Sequence, residues 1–368
     1  MLKAINELGR LPETSIHELE QACRDVIRSG WFVLGPHTAR FEDGFAQYCG
    51  ASHAIGVANG TDALEIALRG LGVGDGHVVL AAANAGFYGS HAILSVGATP
   101  RYVEIDEATM TLTAETLASA DWQGVKAVIV THLYGLIAPV AEIVELANAK
   151  GVPVIEDCAQ AHGATLDGRR AGSWGKLSCF SFYPTKNLGA LGDGGAIVTS
   201  DSELAGHVRQ LRQYGWSAKY DVSLPHGRNS RLDELQAALL NTKLPHLDEA
   251  NSRRRAIANR YVAGIQHPQI SLPSILDDRY VAHLFVVRTA ERDLLRAHLC
   301  AKKIPCDVHY PIPDYRQAVL KNASYATLPV TERACQQVLT LPCFPEMKDD
   351  EVDMVIAAVN EWGGTCTR

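Results

Sequence analysis

A lysine and an aspartate, Lys186 and Asp157, each follow a short apolar run of the sequence. Lys186 lies in SFYPTKNLGALGDGGAIVT (181–199), and Asp157 lies in VPVIEDCAQAHG (152–163). The apolar runs have the character of buried strands, so both side chains are expected at strand ends that face one crevice. A buried amine opposite a carboxylate suits pyridoxal 5′-phosphate (PLP), because the amine forms a Schiff base and the carboxylate keeps the pyridine nitrogen protonated. Taken singly, either residue is more simply explained as an ordinary solvated charge.

The turn NGTDAL (59–64) is a candidate phosphate site. Gly60 permits close approach of the backbone, and Thr61 and Asp62 stand where helix caps belong. The free amides at a helix start attract anions, although a capped helix without a ligand would show the same pattern. Ser181 shares a loop with Lys186 and could donate to the same phosphate.

Two further segments offer side chains to a cofactor or substrate. Gln160 lies about one helical turn after Asp157 and could cover the cofactor ring, whereas His162 could contact substrate or be an ordinary hydrogen-bonded histidine. The proline-stiffened loop HYPIP (309–313) could line a substrate mouth or merely pack. The polar turn before a helix in GRNSRLDELQAA (227–238) could reach an anion through Asn229 and Arg231.

The elements that must position these residues alternate between strand and helix patterns. Short strand patterns that are apolar throughout recur from residue 54 to residue 157 with amphipathic helices between them, which predicts an α/β fold with a mostly parallel sheet. A turn at 163–175, two closely spaced strands and a long helical pattern at 231–265, interrupted near Pro245, follow. A smaller α+β unit comes last, so the sequence predicts a large domain over 1–245 and a small C-terminal domain over 246–368.

Length and composition fit a globular protein of two domains. The chain has 368 residues, 47% of them apolar and 20% charged, with a formal net charge of −7 and no Lys/Arg block, which argues against nucleic acid as a partner. The nine cysteines are scattered without a C-x-x-C, so neither a disulfide framework nor a zinc site is indicated. The sequence shows no signal peptide and no apolar run of membrane-spanning length, and we expect a cytoplasmic protein.

Fingerprints of several other enzyme classes are missing. The sequence contains no HExxH, GxSxG, Walker A or GxGxxG motif. This weakens the metalloprotease, α/β-hydrolase, P-loop and dinucleotide-binding interpretations, and no metal site is predicted.

Several motifs, in order along almost the whole chain, resemble the DegT-type PLP-dependent nucleotide-sugar aminotransferases. They are SGWFVLGPHTARFEDGFAQYCG, NGTDALEIAL, EDCAQAHGA, SFYPTKNLGALGDGGAIVT, NSRLDELQAALL, HYPIP and LPCFPEMKDDEV. The resemblance implies the aspartate-aminotransferase fold (PLP fold type I), with a three-layer α/β/α large domain and a smaller C-terminal α+β domain.

The resemblance also implies roles for individual residues. Lys186 matches the Schiff-base lysine, Asp157 the partner of the pyridine nitrogen, and Gln160 the residue beside the cofactor ring. The matches to phosphate contacts are Gly60, Thr61, Ser181 and Asn229, the last supplied by the neighbouring subunit, which implies a homodimer with shared active sites. Candidate substrate contacts are His162, Tyr183, His309, Tyr310 and Arg231.

One segment departs from the family pattern. Relatives commonly read P-x-x-T-F with an aromatic residue on the cofactor, whereas this chain reads AAANAGFYGSHA (81–92). Gapless alignment from Asn84 puts Gly86 at the aromatic position. Phe87 or Tyr88 is then the candidate for stacking on the ring.

The activity implied by the resemblance is transfer of an amino group from glutamate, through pyridoxamine phosphate, to a keto carbon of a nucleotide-linked deoxysugar. Because Lys186 is not replaced by histidine, transamination is favoured over dehydration. The motifs look most like enzymes that aminate C-3 of a dTDP-linked 3-oxo-6-deoxyhexose, with C-4 amination as the main alternative. More distant alternatives are another fold type I enzyme, such as a desulfurase using Cys343, and a non-catalytic sensor on the same fold.

Overall fold

A computed structural model describes residues 2–364. Its strands are β1 (His53–Val57), β2 (Val78–Ala82), β3 (Thr99–Val103), β4 (Val125–Thr131), β5 (Val154–Asp157), β6 (Thr165–Leu166), β7 (Arg169–Arg170), β8 (Leu177–Ser181), β9 (Gly195–Thr199), β10 (Trp216–Ala218), β11 (Asp221–Val222), β12 (Phe285–Arg288) and β13 (Val338–Leu341). Its helices are α1 (Glu13–Ser29), α2 (Pro36–Cys49), α3 (Gly60–Gly70), α4 (Tyr88–Ser95), α5 (Ala114–Ala118), α6 (Val140–Ala149), α7 (Ser202–Leu211), α8 (Glu234–Lys243), α9 (Leu247–Gly264), α10 (Arg292–Ala301), α11 (Pro329–Gln337) and α12 (Asp349–Asn360).

Seven strands form one sheet in the order β1-β9-β8-β5-β4-β2-β3. All neighbours pair in parallel except β9, which runs antiparallel to both β1 and β8. The ends of β4, β5 and β8 meet at one edge, since Asp157 pairs with Thr131 on one side and with Cys179 on the other. The predicted α/β fold with a mostly parallel sheet is confirmed.

Helices cover both faces of the sheet, as the apolar strands require. Along β4, Ala127 and Ile129 join an apolar cluster with α3, α4 and α7, whereas Val128 and Val130 join a cluster with α6 on the opposite face. This alternation follows from the two-residue period of a strand. The result is a three-layer unit in which all strands of the sheet except β9 have their carboxyl ends on the same side.

The C-terminal part builds a separate apolar cluster. It packs α9, α10 and α12 around the antiparallel pair β12–β13, with Tyr261 and Phe285 among its fully buried rings. The long helical pattern at 231–265 is interrupted as expected, because a 3₁₀ turn over Leu244–His246 that contains Pro245 separates α8 from α9. The domain division at 245/246 stays a prediction.

Two predictions from composition can be set beside the structure. The cysteines within residues 2–364 are all free thiols, and Cys366 lies outside the described residues. In the same residues, every helix is either too short or too polar to cross a bilayer.

Candidate active site

A cavity of about 800 Å³ opens at the carboxyl ends of the parallel strands. Asp157 is the last residue of β5 and Ser181 the last of β8, so the sheet itself brings the predicted lysine and aspartate segments together. Most of the predicted site residues line this cavity: Gly60, Thr61, Tyr88, Asp157, Gln160, Ser181, Tyr183, Lys186, His309 and Tyr310.

Lys186 and Asp157 form the charged pair of the cavity. The Asp157 carboxylate accepts hydrogen bonds from the Thr131 hydroxyl (3.3 Å) and the Ala159 amide (3.2 Å). Burial raises the pKa of Asp157, although these donors and the Lys186 charge act in the opposite direction. Burial also lowers the pKa of Lys186 to about 8, against the opposing effect of Asp157. A buried amine with this pKa is suited to form a covalent bond with an aldehyde and to exchange protons near neutral pH.

The lowered pKa leads to a prediction for the cofactor-free chain. We expect the reaction of Lys186 with pyridoxal, trapped by borohydride, to rise with pH through a midpoint near 8, since only the neutral amine reacts. An ordinary lysine has a pKa of about 10.4. The modified lysine is located by peptide mass spectrometry at each pH, and a midpoint near 10 for Lys186 contradicts the burial of its amine.

The start of α3 forms the candidate phosphate cradle. Asn59 is the cap of this helix, because its side chain accepts from the Asp62 amide (2.8 Å), so the expectation that Thr61 or Asp62 caps the helix was wrong. The first intrahelical bond runs from the Ala63 amide to Asn59, which leaves the preceding amides of Gly60 and Thr61 available to an anion. A side chain at Gly60 would come within 2.7 Å of Ser181 Cβ, so glycine lets this helix start lie against the end of β8.

Gln160 joins the sheet side of the cavity to the HYPIP loop. Its side-chain oxygen accepts from the Tyr134 amide (2.6 Å), and its side-chain nitrogen donates to the Tyr310 hydroxyl (3.2 Å). The Tyr134 hydroxyl in turn donates to the carbonyl oxygen of His309 (2.5 Å). These bonds fix the position of Tyr310 above the strand ends.

The two aromatic candidates for stacking on the cofactor are separated by the structure. Tyr88 lines the cavity, and its ring lies edge-on to Tyr310 at 6.1 Å between centroids. Phe87 is not among the lining residues; it has a left-handed backbone (φ +72°) and precedes the first turn of α4. Phe87 is therefore placed away from the cavity, and stacking of Tyr88 on the cofactor stays a prediction.

His162 is also placed outside the cavity. Its ring is fully buried beside Phe180 and Phe182, with centroids 5.4 and 5.8 Å away. Burial lowers the pKa of His162 to about 3, so the ring is neutral. The expectation of a substrate contact is corrected, because this histidine is part of the apolar packing behind the site.

Two other predicted contacts, Asn229 and Arg231, do not line the cavity of their own chain, and neither do the polar residues Asn84 and His132 near the strand ends. Asn84 is buried and donates to the Met110 carbonyl (2.9 Å), and His132 is buried against Glu156, so neither faces the crevice. Asn229 is exposed and Arg231 is half-buried on the loop before α8. To take their predicted roles, Asn229 and Arg231 would have to reach the cavity of a second chain or enter their own cavity from another direction.

Sequence reasoning missed His283, which lines the cavity beside Lys186. Its Nδ1 donates to the side-chain oxygen of Asn187 (2.9 Å), because the Asn187 nitrogen already donates to Asn251 (2.7 Å) and to the Val281 carbonyl (3.0 Å). Burial lowers the pKa of His283 well below its usual value. The only sequence signal was a polar residue that opens the apolar run HLFVVR.

A buried cluster of His132, Glu156 and Cys158 lies behind Asp157 and resembles a metal site in its residue types. Glu156, however, accepts hydrogen bonds from His132 (2.9 Å), from the Ser178 hydroxyl (2.9 Å) and from three backbone amides at 172, 174 and 175. Although burial alone raises the pKa of Glu156, these donors lower it below its usual value. The carboxylate is saturated by donors and supports the strand end that carries Asp157.

Cys343, the candidate nucleophile for a desulfurase, lines the cavity but is 2% exposed. Burial raises the pKa of its thiol to about 11. A protonated thiol is a weak nucleophile, so the structure does not favour that alternative.

Comparisons with known proteins identify the family to which the chain is similar. Residues 13–360 match the DegT/DnrJ/EryC1/StrS aminotransferase family. A dTDP-3-amino-3,6-dideoxy-α-D-galactopyranose transaminase of Aneurinibacillus thermoaerophilus is 45% identical over 347 residues, which cover 94% of this chain and 95% of that protein. A dTDP-3-amino-3,4,6-trideoxy-α-D-glucose transaminase of Streptomyces venezuelae is 44% identical over 349 residues, covering 94% and 92%.

Solved structures show the same architecture. S. venezuelae DesV, crystallised in complex with a ketimine intermediate, superimposes with a TM-score of 0.94 at 43% identity, covering 97% of each chain. NtdA from Bacillus subtilis, solved with bound cofactor PMP, superimposes with a TM-score of 0.90 at 29% identity, covering 96% of this chain and 83% of that one.

Proposed function

The chain belongs to the DegT/DnrJ/EryC1/StrS aminotransferase family, and we propose that it transfers an amino group from glutamate to C-3 of a dTDP-linked 3-oxo-6-deoxyhexose with PLP as its cofactor. The observation that carries the proposal is the buried pair Lys186 and Asp157 at the strand ends, inside a cavity large enough for a cofactor and a sugar. The names of the two relatives, both transaminases of 3-amino sugars, support the choice of C-3.

The residues present fit this cofactor. Lys186 would carry it, Asp157 would face its ring nitrogen, and the phosphate would lie on the amides of Gly60 and Thr61 beside the Ser181 hydroxyl. When bound, PLP supplies the electron sink that makes amino transfer possible. The PMP-bound structure of a relative supports the assignment.

Within this arrangement, the chain's own groups would move the proton and hold the charges. The Lys186 amine has a pKa of about 8, so a useful fraction is neutral at physiological pH and can take a proton from the α-carbon of glutamate. The same amine can return a proton to the sugar carbon in the second half of the cycle. Asp157 stays fixed by Thr131 and Ala159 while this happens.

The carbon position can be tested directly. The protein is incubated with ¹⁵N-glutamate and either a dTDP-linked 3-oxo or 4-oxo 6-deoxyhexose, and the product is identified by mass spectrometry and NMR. We expect ¹⁵N at C-3 of the first substrate. Incorporation only at C-4 contradicts the carbon assignment, and no incorporation from glutamate contradicts the donor.

A homodimer with shared sites is part of the proposal. Within residues 2–364, Lys186 is the only lysine or arginine that lines the cavity, which is little positive charge for a phosphate and a nucleotide diphosphate. Asn229 is exposed outside its own chain's cavity, and Ile27, Trp31 and Phe32 present an exposed apolar surface. Pairing through that surface would allow Asn229 of a second copy to reach the phosphate.

Mixed dimers provide a test of shared sites. Lys186→Ala and Asn229→Ala variants are purified separately and then mixed under subunit exchange. One site of each mixed dimer then contains both native residues, so we expect part of the activity to return. If subunit exchange is demonstrated and the mixture of the two variants is still inactive, the result contradicts a shared site. A cytoplasmic location is the remaining part of this proposal.

A further inference from the structure

Asp314 is a buried carboxylate without a cationic partner. Its side chain is 1% exposed, and within residues 2–364 no lysine, arginine or histidine forms an ion pair with it. Burial raises the pKa of Asp314 to about 7, against the effect of its hydrogen-bond donors. An unpaired buried carboxylate is costly to keep, so its contacts require an explanation.

Those contacts are at the start of α4. One Asp314 oxygen accepts from the Phe87 amide (3.0 Å), and the other accepts from the Ser90 hydroxyl (2.5 Å), which itself accepts from the Tyr102 hydroxyl (2.9 Å). Phe87 is the N-cap residue of α4, and its apolar side chain cannot accept a hydrogen bond from the helix amides. Asp314 therefore supplies the missing cap from a distant segment, where a negative charge also complements the helix dipole.

Residues 83–88 and residues 310–314 contact each other at two further places. The Asp314 amide donates to the Ala83 carbonyl (2.7 Å). The Tyr310 ring lies on Gly86, where an added side-chain carbon would come within 2.8 Å of the ring, and Gly86 itself has a left-handed backbone (φ +78°). Gly86 thus makes room for a ring from the HYPIP loop.

We propose that Asp314 is a positioning residue that holds Tyr88 and Tyr310 together as the aromatic wall of the cavity. Tyr88 is the first residue of the helix that Asp314 caps, and Tyr310 lies four residues before Asp314. Both rings line the cavity and contact each other edge-on. The inference rests on the proposed function, and the wall is assigned to the sugar-nucleotide substrate.

The test compares Asp314→Ala, which removes both hydrogen bonds, with the wild type in the reverse reaction, from dTDP-3-amino-3,6-dideoxygalactose and 2-oxoglutarate. We expect the KM for the sugar nucleotide to rise about tenfold with kcat changed less than about threefold, because a displaced wall weakens binding more than it affects the Lys186 amine. Single-turnover reaction with glutamate alone should keep its rate. A sugar KM within twofold of wild type overturns the proposal.

A double-variant cycle separates positioning from a general structural role. In a Tyr88→Ala, Tyr310→Ala background, Asp314→Ala should raise the sugar KM little further, since both rings that it positions are gone; multiplicative effects overturn the proposal. Glu332→Ala is the matched control, because that carboxylate accepts hydrogen bonds from Tyr315 and Arg316 in the same region. Ser90→Ala, which removes one of the two donors, replaces Asp314→Ala if that variant does not fold. If the wild-type protein itself has no activity with the amino sugar, this result contradicts the proposed function and not the role of Asp314.

Discussion

Lys186→Ala is expected to lower the rate of amino transfer at least about 10⁴-fold, because it removes both the covalent attachment of the cofactor and the group that moves the proton. The side chain is buried at the strand ends, and no second lysine lines the cavity within residues 2–364. Among these residues, the cavity therefore offers no other lysine that could take over its function. The measurement is turnover of glutamate and sugar nucleotide at saturating PLP.

Two further readouts separate chemistry from folding. The variant should lose the visible absorbance of lysine-linked PLP while its thermal unfolding stays close to that of the wild type, and added methylamine should restore part of the turnover. Lys302→Ala is the control, since this lysine pairs with Glu361 on the surface of the C-terminal part. A Lys186→Ala variant with more than a tenth of wild-type turnover contradicts the assignment of this lysine.

Asp157→Asn is expected to lower turnover by about 10²–10³-fold, a loss typical of removing one preorganised electrostatic contact. Asparagine has nearly the same shape: its oxygen can accept from the Ala159 amide, and its nitrogen can donate to the Thr131 hydroxyl oxygen, so the strand end should keep its geometry. What is lost is the negative charge that would keep the cofactor nitrogen protonated. Both half-reactions should slow, because both use the same electron sink.

The half-reactions are measured separately by single-turnover absorbance with glutamate and with the amino sugar. Asp121→Asn is the matched control, because this aspartate is exposed and pairs with Arg101 far from the strand ends. A variant that slows only one half-reaction contradicts a role at the cofactor ring. A variant whose loss disappears at high PLP concentration shows that Asp157 acts on cofactor binding alone.

The fold class and the pairing of Asp157 with Lys186 could both be predicted from the amino-acid sequence. Strands such as VIVT in β4 are apolar on both sides, and this pattern has one common solution, a parallel sheet covered by helices on both faces. Residues that follow such strands must meet at one edge, so Asp157 and Lys186 could be brought together without coordinates. Pro245 likewise identified the interruption between α8 and α9, because proline cannot continue a helix.

Short elements and helix caps were harder to predict. The pair β10–β11, the helix α11 and the strand β13 were missed, because their few residues carry little periodicity. Asn59 caps α3 although Thr61 and Asp62 looked equally suitable, since a cap is decided by backbone angles. His162 was a candidate substrate contact with an ordinary histidine as the alternative, and the structure places its ring against Phe180 and Phe182.

Which aromatic rings line the cavity could be read only from the three-dimensional structure. The family resemblance led us to expect an aromatic residue at Gly86, and the sequence offered Phe87 and Tyr88 as replacements on equal terms. The fold places Tyr88 and Tyr310 there through contacts between segments more than 220 residues apart. Local sequence patterns carry no information on such distant pairs. Which segments meet depends on how the apolar cluster of the C-terminal part packs against the clusters on the sheet.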